Sequence, residues 1–288
     1  RKILPMLRIA VQAKGRLFDD TMSLLTEAGI KIEFGKRLLL IPAQNFPLEV
    51  LFLRDDDIPE SVADGVADIG IVGENEFAEK KKNVKMIRRL GFSKCRLSLA
   101  VPKEAEYSDI YWFEGKTIAT SYPEILSDFL KKKGIHAEIH VITGSVEIAP
   151  SIGLADAIFD IVSSGSTLVT NHLKEVEVVM KSEALLIANP SLPEEKNQIL
   201  NDLLFRIEAV KMAEDKKYVL MNVPTNQLEK IIEIIPGMKS PTVMPLAKEG
   251  WNSVHAVIAE KEFWDIIGKL KACGAEGILV LPIEKMIL

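Results

Sequence analysis

The residues best suited to chemistry lie between Leu154 and Leu173. An apolar, β-branched run there carries two carboxylates, Asp156 and Asp160, and then breaks into Ser163-Ser164-Gly165-Ser166-Thr167. Such a run reads as a buried strand. Acids four apart on an extended segment point to one side. A buried strand tolerates two of them only where a partner offsets their desolvation, and a ribose diol or a divalent cation would both serve. Apolar spacing resumes at Leu168, so the hydroxyl- and glycine-rich loop opens a helix. Small side chains and free N–H groups at a helix start suit a phosphate, and the same residues also make an ordinary capped βα turn.

Two neighbouring turns repeat the theme. Ser121-Tyr122 ends a strand over 116–120, and Thr143-Gly144-Ser145 ends one over 139–142. Three donor-rich turns along one sheet edge would floor a cleft for a ligand with several phosphates. Cations come from elsewhere in the chain. Lys14 and Arg16 flank Gly15 in a strand–loop–helix unit, and Arg54 stands where a strand over 50–53 ends. Strand ends are where α/β proteins bind ligands. Asp55-Asp56-Asp57, beside Arg54, read as a cap for the helix that starts near Pro59. Gly115-Lys116-Thr117 is not a Walker A loop, because Ile110 replaces its first glycine and a strand follows it.

The elements that position these residues alternate strand and helix through residue 212, with 91–96 as a crossing between two lobes. Strand-like pieces at 176–180 and 184–188 read as the return. The expected α/β organisation is therefore two-lobed: 1–95 with 176–212 as one lobe, and 96–175 as the other, carrying the Ser163–Thr167 loop. Residues 213–288 follow β-α-β-β-α-β, the ferredoxin-like arrangement. With no cluster of catalytic type, that domain reads as a regulatory or oligomerisation module.

Composition narrows the partners. The 288 residues are 48% hydrophobic and 27% charged, with a net charge of −5, which is ordinary for a globular chain. This balance, with a pI near 5.6, speaks against a nucleic-acid or anionic-membrane surface. Cys95 and Cys273 form no C-x-x-C, and none of the four histidines has metal-ligand spacing. Neither a membrane-spanning run nor a secretory signal is seen, so a cytoplasmic location is expected.

Several stretches together resemble the long form of ATP phosphoribosyltransferase, over nearly the whole chain. They are Lys14-Gly15-Arg16-Leu17, Arg54-Asp55-Asp56-Asp57-Ile58-Pro59, 68–75, Cys95-Arg96-Leu97-Ser98-Leu99, 119–123, Gly144-Ser145-Val146-Glu147, 155–168 and 278–286. The resemblance implies a periplasmic-binding-protein-like catalytic core plus a C-terminal ferredoxin-like (βαββαβ) regulatory domain that binds histidine as feedback inhibitor. It implies transfer of phosphoribose from phosphoribosyl pyrophosphate (PRPP) to N1 of ATP, with Mg2+ and release of pyrophosphate, in a homo-oligomer, dimer or hexamer. On that footing Ser163, Ser164, Gly165, Ser166 and Thr167 hold the 5′-phosphate, and Asp156 and Asp160 sit near the ribose. Lys14, Arg16, Arg54, Arg96, Ser121 and Tyr122 meet the other phosphates and the base, with Tyr122 either stacked on the base or in the core. The resemblance points to Asn222, Ser240, Thr242 and Gly277 for the histidine pocket. Protein ligands of the metal stay unassigned. Two-lobed α/β proteins also bind anions with no chemistry, so an intracellular ligand sensor is the competing class.

Overall fold

A computed structural model describes residues 5–34, 39–236 and 240–288. Two compact units divide the chain. One runs up to Ser23 and resumes over Ile30–Ile199; the other joins Leu24–Gly29 to Leu200–Leu288.

The first unit holds two mixed sheets. Strands β1 (Leu7–Gln12), β2 (Leu40–Pro42), β3 (Leu48–Leu53), β4 (Ile69–Gly73) and β5 (Lys85–Arg89) lie in the first sheet. The second contains β6 (Cys95–Pro102), β7 (Thr117–Thr120), β8 (Glu138–Val141), β9 (Ala157–Val162) and β10 (Leu173–Ser182), and β11 (Ala184–Ala188) returns to the first. The orders are β2-β3-β1-β4-β11-β5 and β10-β6-β9-β7-β8. Continuous apolar runs make the central strands: every residue of β11 is buried, as is Ile69–Val72 of β4. Covered on both faces, such strands need no alternation.

Helices α1 (Arg16–Glu27), α2 (Ile58–Ala63) and α3 (Glu74–Lys80) follow β1, β3 and β4; α4 (Pro123–Lys133) and α5 (Ser166–Thr170) follow β7 and β9. Because β7, β8 and β9 are parallel, the three donor-rich turns do share one edge of the second sheet.

The return crossing differs from the sequence expectation. Residues 176–180 belong to β10, which pairs antiparallel with β6 from Leu173 opposite Pro102 to Ser182 opposite Cys95. The pairing of one long strand with β6 keeps the chain in the second sheet until Glu183. The outer boundary also moves, because α6 (Glu194–Ala213) is divided between the units after Ile199.

The second unit carries β12 (Lys216–Pro224), α7 (Leu228–Ile234), β13 (Thr242–Pro245), β14 (Trp251–Ala259), α8 (Glu260–Ala272) and β15 (Glu276–Pro282). Its antiparallel sheet has the order β13-β14-β12-β15, the expected ferredoxin-like topology. Val219, Met221, Val223, Val254, Ala256 and Ile258 are buried, packing with Ile231 of α7 and Phe263 and Leu270 of α8. The alternate residues form the sheet's other face.

Candidate active site

Strand β9 presents its chemistry at its C-terminal end. Asp160 sits two residues before the strand stops, with Oδ1 accepting from the N–H of Ile161 at 2.8 Å. Burial pushes its carboxyl up to about 6 against that hydrogen bond, and Glu147 adds repulsion. Val162 anchors the strand in the core, and the chain turns at Gly165, whose φ of +83° favours glycine. A cavity of about 90 Å³ lies in this turn, lined by Glu147, Asp160 and Ser163–Thr167. The Ser164 and Ser166 hydroxyls stand 3.0 Å apart, and Thr167 is exposed at the mouth of α5.

Arg96 braces this loop. Its Nη1 donates to the carbonyl of Ser163 at 3.1 Å, while Nε and Nη2 grip Glu175 of β10 at 2.7 and 3.0 Å. That fork holds the Glu175 carboxyl below its usual range. A larger cavity of about 680 Å³ adjoins the loop at Ser163, where the chain crosses between the sheets. Its cations are Arg89, Lys94, Arg96 and Lys181. Arg89 is engaged by Glu74 and Glu183, whereas among the described residues Lys94 and Lys181 form no ion pair. Cys95 also lines this space, but burial pushes its thiol up, which disfavours the nucleophilic thiolate.

The remaining expected cations are exposed at the C-terminal ends of parallel strands. Lys14 and Arg16 follow β1, with Arg16 Nε 4.0 Å from Asp20, and Arg54 follows β3, 3.3 Å from Asp56. Arg16 opposes the rise of the Cys95 thiol electrostatically, though burial outweighs it. Ser121 donates to the carbonyl of Ile142 at 2.6 Å and so ties two of the donor-rich turns together.

Two expectations change. Asp156 does not join Asp160. It is exposed just before β9 begins, where Oδ2 accepts from the N–H of Thr117 at 2.9 Å, and strand rise puts it about 13 Å from Asp160. The alternation of a strand fixes the side a residue faces, not the end at which it lies. Tyr122 does not offer a stacking face either. Its ring is buried, its hydroxyl accepts from Asn75 Nδ2 at 3.1 Å, and burial raises the phenol.

Sequence reading missed several residues here. Glu147 stands out in the sequence only as the end of Gly144-Ser145-Val146-Glu147, and no local pattern marks Lys94 or Lys181. Glu76, in the polar run that forms α3, gave no sign of burial, yet burial pushes its carboxyl up to about 7, with Asp55 and Asp56 adding repulsion. Only the acids beside Arg54, read as a cap, hinted at such crowding.

In the second unit, Asn222 lies opposite Ser253 on β14 and Glu276 on β15, and a Cβ on Gly277 would stand 3.1 Å from its Nδ2. Thr242 pairs with His255, two strands across, and Ser240 is exposed just before it. The structure thus joins Asn222 to Gly277, with Thr242 further along the open face. There Tyr218, His255 and Ser253 form a hydrogen-bonded row at 2.8 Å each.

Comparison with known proteins accounts for both units. Residues 54–209 match the family model described as ATP phosphoribosyltransferase, and residues 213–285 match the HisG C-terminal domain. An ATP phosphoribosyltransferase from Phocaeicola vulgatus is 75% identical over 283 residues, 98% of this chain and 100% of the relative. One from Bacteroides thetaiotaomicron is 72% identical over 282 residues, again 98% and 100%. Among solved structures, the ATP phosphoribosyl transferase (HisG:HisZ) complex from Thermotoga maritima aligns with a TM-score of 0.61 at 29% identity. It covers 70% of this chain and 96% of that one. The match of both family models, with relatives above 70% identical over nearly the whole chain, places this chain in the ATP phosphoribosyltransferase family, in its long form.

Proposed function

We infer that this chain transfers the 5-phosphoribosyl group of PRPP to N1 of ATP and releases pyrophosphate, the first step of histidine biosynthesis. The observation that carries the residue-level reading is the end of β9, where a half-buried carboxylate and a donor-rich turn line one cavity. The Ser163–Thr167 turn receives the 5′-phosphate, with Gly165 giving the backbone its curvature. Asp160, with Glu147 beside it, then faces the anomeric carbon. As the bond from C1′ to the pyrophosphate oxygen breaks and N1 closes on C1′, positive charge grows on the ribose. An ionised Asp160 stabilises that charge from a position fixed before reaction.

The larger cavity fits the polyphosphates: Lys94, Arg96 and Lys181 supply positive charge along its wall, and Arg16 acts electrostatically on Cys95 of the same wall. Lys14 and Arg54, at neighbouring strand ends, extend that field. Two polyanions brought together in one cleft need this neutralisation, and the rest of the rate comes from alignment. Mg2+ belongs to the same reading as an ion carried on pyrophosphate. It would help to neutralise the leaving group. Among the described residues no group of three His, Cys, Asp or Glu could hold a metal. Asp160 and Glu147, the two carboxylates that line the turn, would be the protein groups to hold such an ion.

Histidine acts in this reading on the open face of the second unit, around Asn222, Gly277 and Thr242. Self-association is supported by the exposed apolar side chains Trp264, Leu279 and Leu281 of the same unit, and the dimer and hexamer are what the family resemblance implies. Mixing ATP, PRPP and Mg2+ and following the ultraviolet change of N1-substituted adenine tests the catalytic reading. PRPP binding without turnover or pyrophosphate release would instead favour a ligand sensor.

A further inference from the structure

Helix α3 belongs to the first sheet, yet three of its polar side chains, Asn75, Glu76 and Glu79, are at most 7% exposed. The partners of two of them belong to the second sheet. Glu79 accepts from the backbone N–H groups of Glu124 and Ile125 at 2.8 and 2.9 Å, so one carboxylate closes the N-terminus of α4. Helix α4 has no cap of its own: Tyr122 occupies the N-cap and makes no side-chain cap bond, where Ser, Thr, Asp or Asn is usual. Asn75 donates Nδ2 to the Tyr122 hydroxyl, and its backbone N–H and Oδ1 engage the Ser182 hydroxyl at 3.1 Å each. Lys81 extends the contact, reaching Asp128 at 2.8 Å and Glu124 at 3.3 Å.

This contact joins two turns of the cleft. Gly73 leads into α3 from the ligand edge of the first sheet, and Ser121-Tyr122 leads into α4 from that of the second. Parting them would break two charge-assisted hydrogen bonds from the N–H groups of α4 to one carboxylate, so the pairing resists opening. We propose that Glu79 is a positioning residue: it clasps the two lobes, fixes the width of the cleft, and so aligns the two substrates for transfer. The proposal rests on the assignment of PRPP to the Ser163–Thr167 turn. That turn lies in one lobe and holds its ligand whether or not the clasp is shut. Transfer needs both lobes in register, and small misplacements of reacting atoms lower the rate steeply.

The test measures PRPP affinity by calorimetry and kcat in the full-length protein, for wild type, Glu79→Ala and Glu79→Gln. The expected result is a PRPP Kd within about twofold of wild type, with kcat lower by at least about tenfold in Glu79→Ala. Glu79→Gln, which keeps one acceptor, falls between, and it carries the test if the alanine variant does not fold. An unchanged kcat with a lowered Tm would overturn the proposal and leave Glu79 a plain helix cap. Parallel loss of PRPP affinity and kcat would overturn it too. Failure of wild type itself to bind PRPP would reject the loop assignment beneath it, and shows before any variant is measured.

Discussion

The two ends of β9 carry chemically identical carboxylates in opposite surroundings. Asp156 stands in water before the first residue of the strand and holds the backbone of β7 in register. Asp160 stands near the last residue, largely withdrawn from water, beside a turn of hydroxyls and a glycine. The same division separates other acids of the first unit. Asp68, just before β4, accepts from the N–H of Arg8 and from Lys196 at 2.8 Å, and is consumed by structure. Glu76, just after β4, is buried beside Asp55 and Asp56 with its carboxyl pushed up to about 7. Acids at strand starts hold the scaffold, and acids at strand ends are strained toward the cleft.

The contrast predicts its own failures, the largest first. Asp160→Asn keeps the shape and removes the charge, so kcat falls on the order of 100-fold while PRPP Kd changes little. Steady-state kinetics beside calorimetry reads both, and an undiminished kcat would erase the distinction between the two ends. In wild type, kcat/KM should rise with pH through about 6 as Asp160 ionises. Stability runs the other way. Its carboxyl is raised above the unfolded value, so the stabilisation it gives is complete below about 3.8 and is lost as pH rises through about 6. Melting curves of wild type and Asp160→Asn across that range should therefore diverge in slope. If they stay parallel, the carboxyl is not raised.

Thr167→Ala, at the mouth of the turn, should weaken PRPP binding by roughly tenfold with Tm nearly unchanged, since it removes one hydrogen bond to a charged ligand. A drop in Tm with intact binding would make the threonine a structural cap. Smallest is Asp156→Ala, expected to remove about 1 kcal/mol of stability, seen as a modest fall in Tm, with kcat within about twofold. A large loss of kcat there, at full occupancy of both substrates, would return Asp156 to the site.

Periodicity and punctuation made much of this legible beforehand. Apolar runs closed by Gly, Ser and Thr marked β7, β8 and β9 with their turns, and the stripes in α7 and α8 marked the ferredoxin-like unit. Local pattern could not report which end of a strand an acid occupies, so Asp156 and Asp160 read alike. Nor could it show that 176–180 pairs with β6, because register is decided by a partner strand about 80 residues away. Lys94 and Lys181 face one cavity only through that pairing. Glu79 escaped notice for a similar reason: a polar helix reads as solvated until the second lobe covers it. Tyr122 was equally ambiguous, being an aromatic residue that either a base or a core would accept.

The most direct measurement is a crystal structure with PRPP bound. The account predicts the 5′-phosphate seated against Ser163–Thr167, with C1′ in van der Waals contact with Asp160. A phosphate lodged at another turn, or an anomeric carbon remote from Asp160, would contradict it.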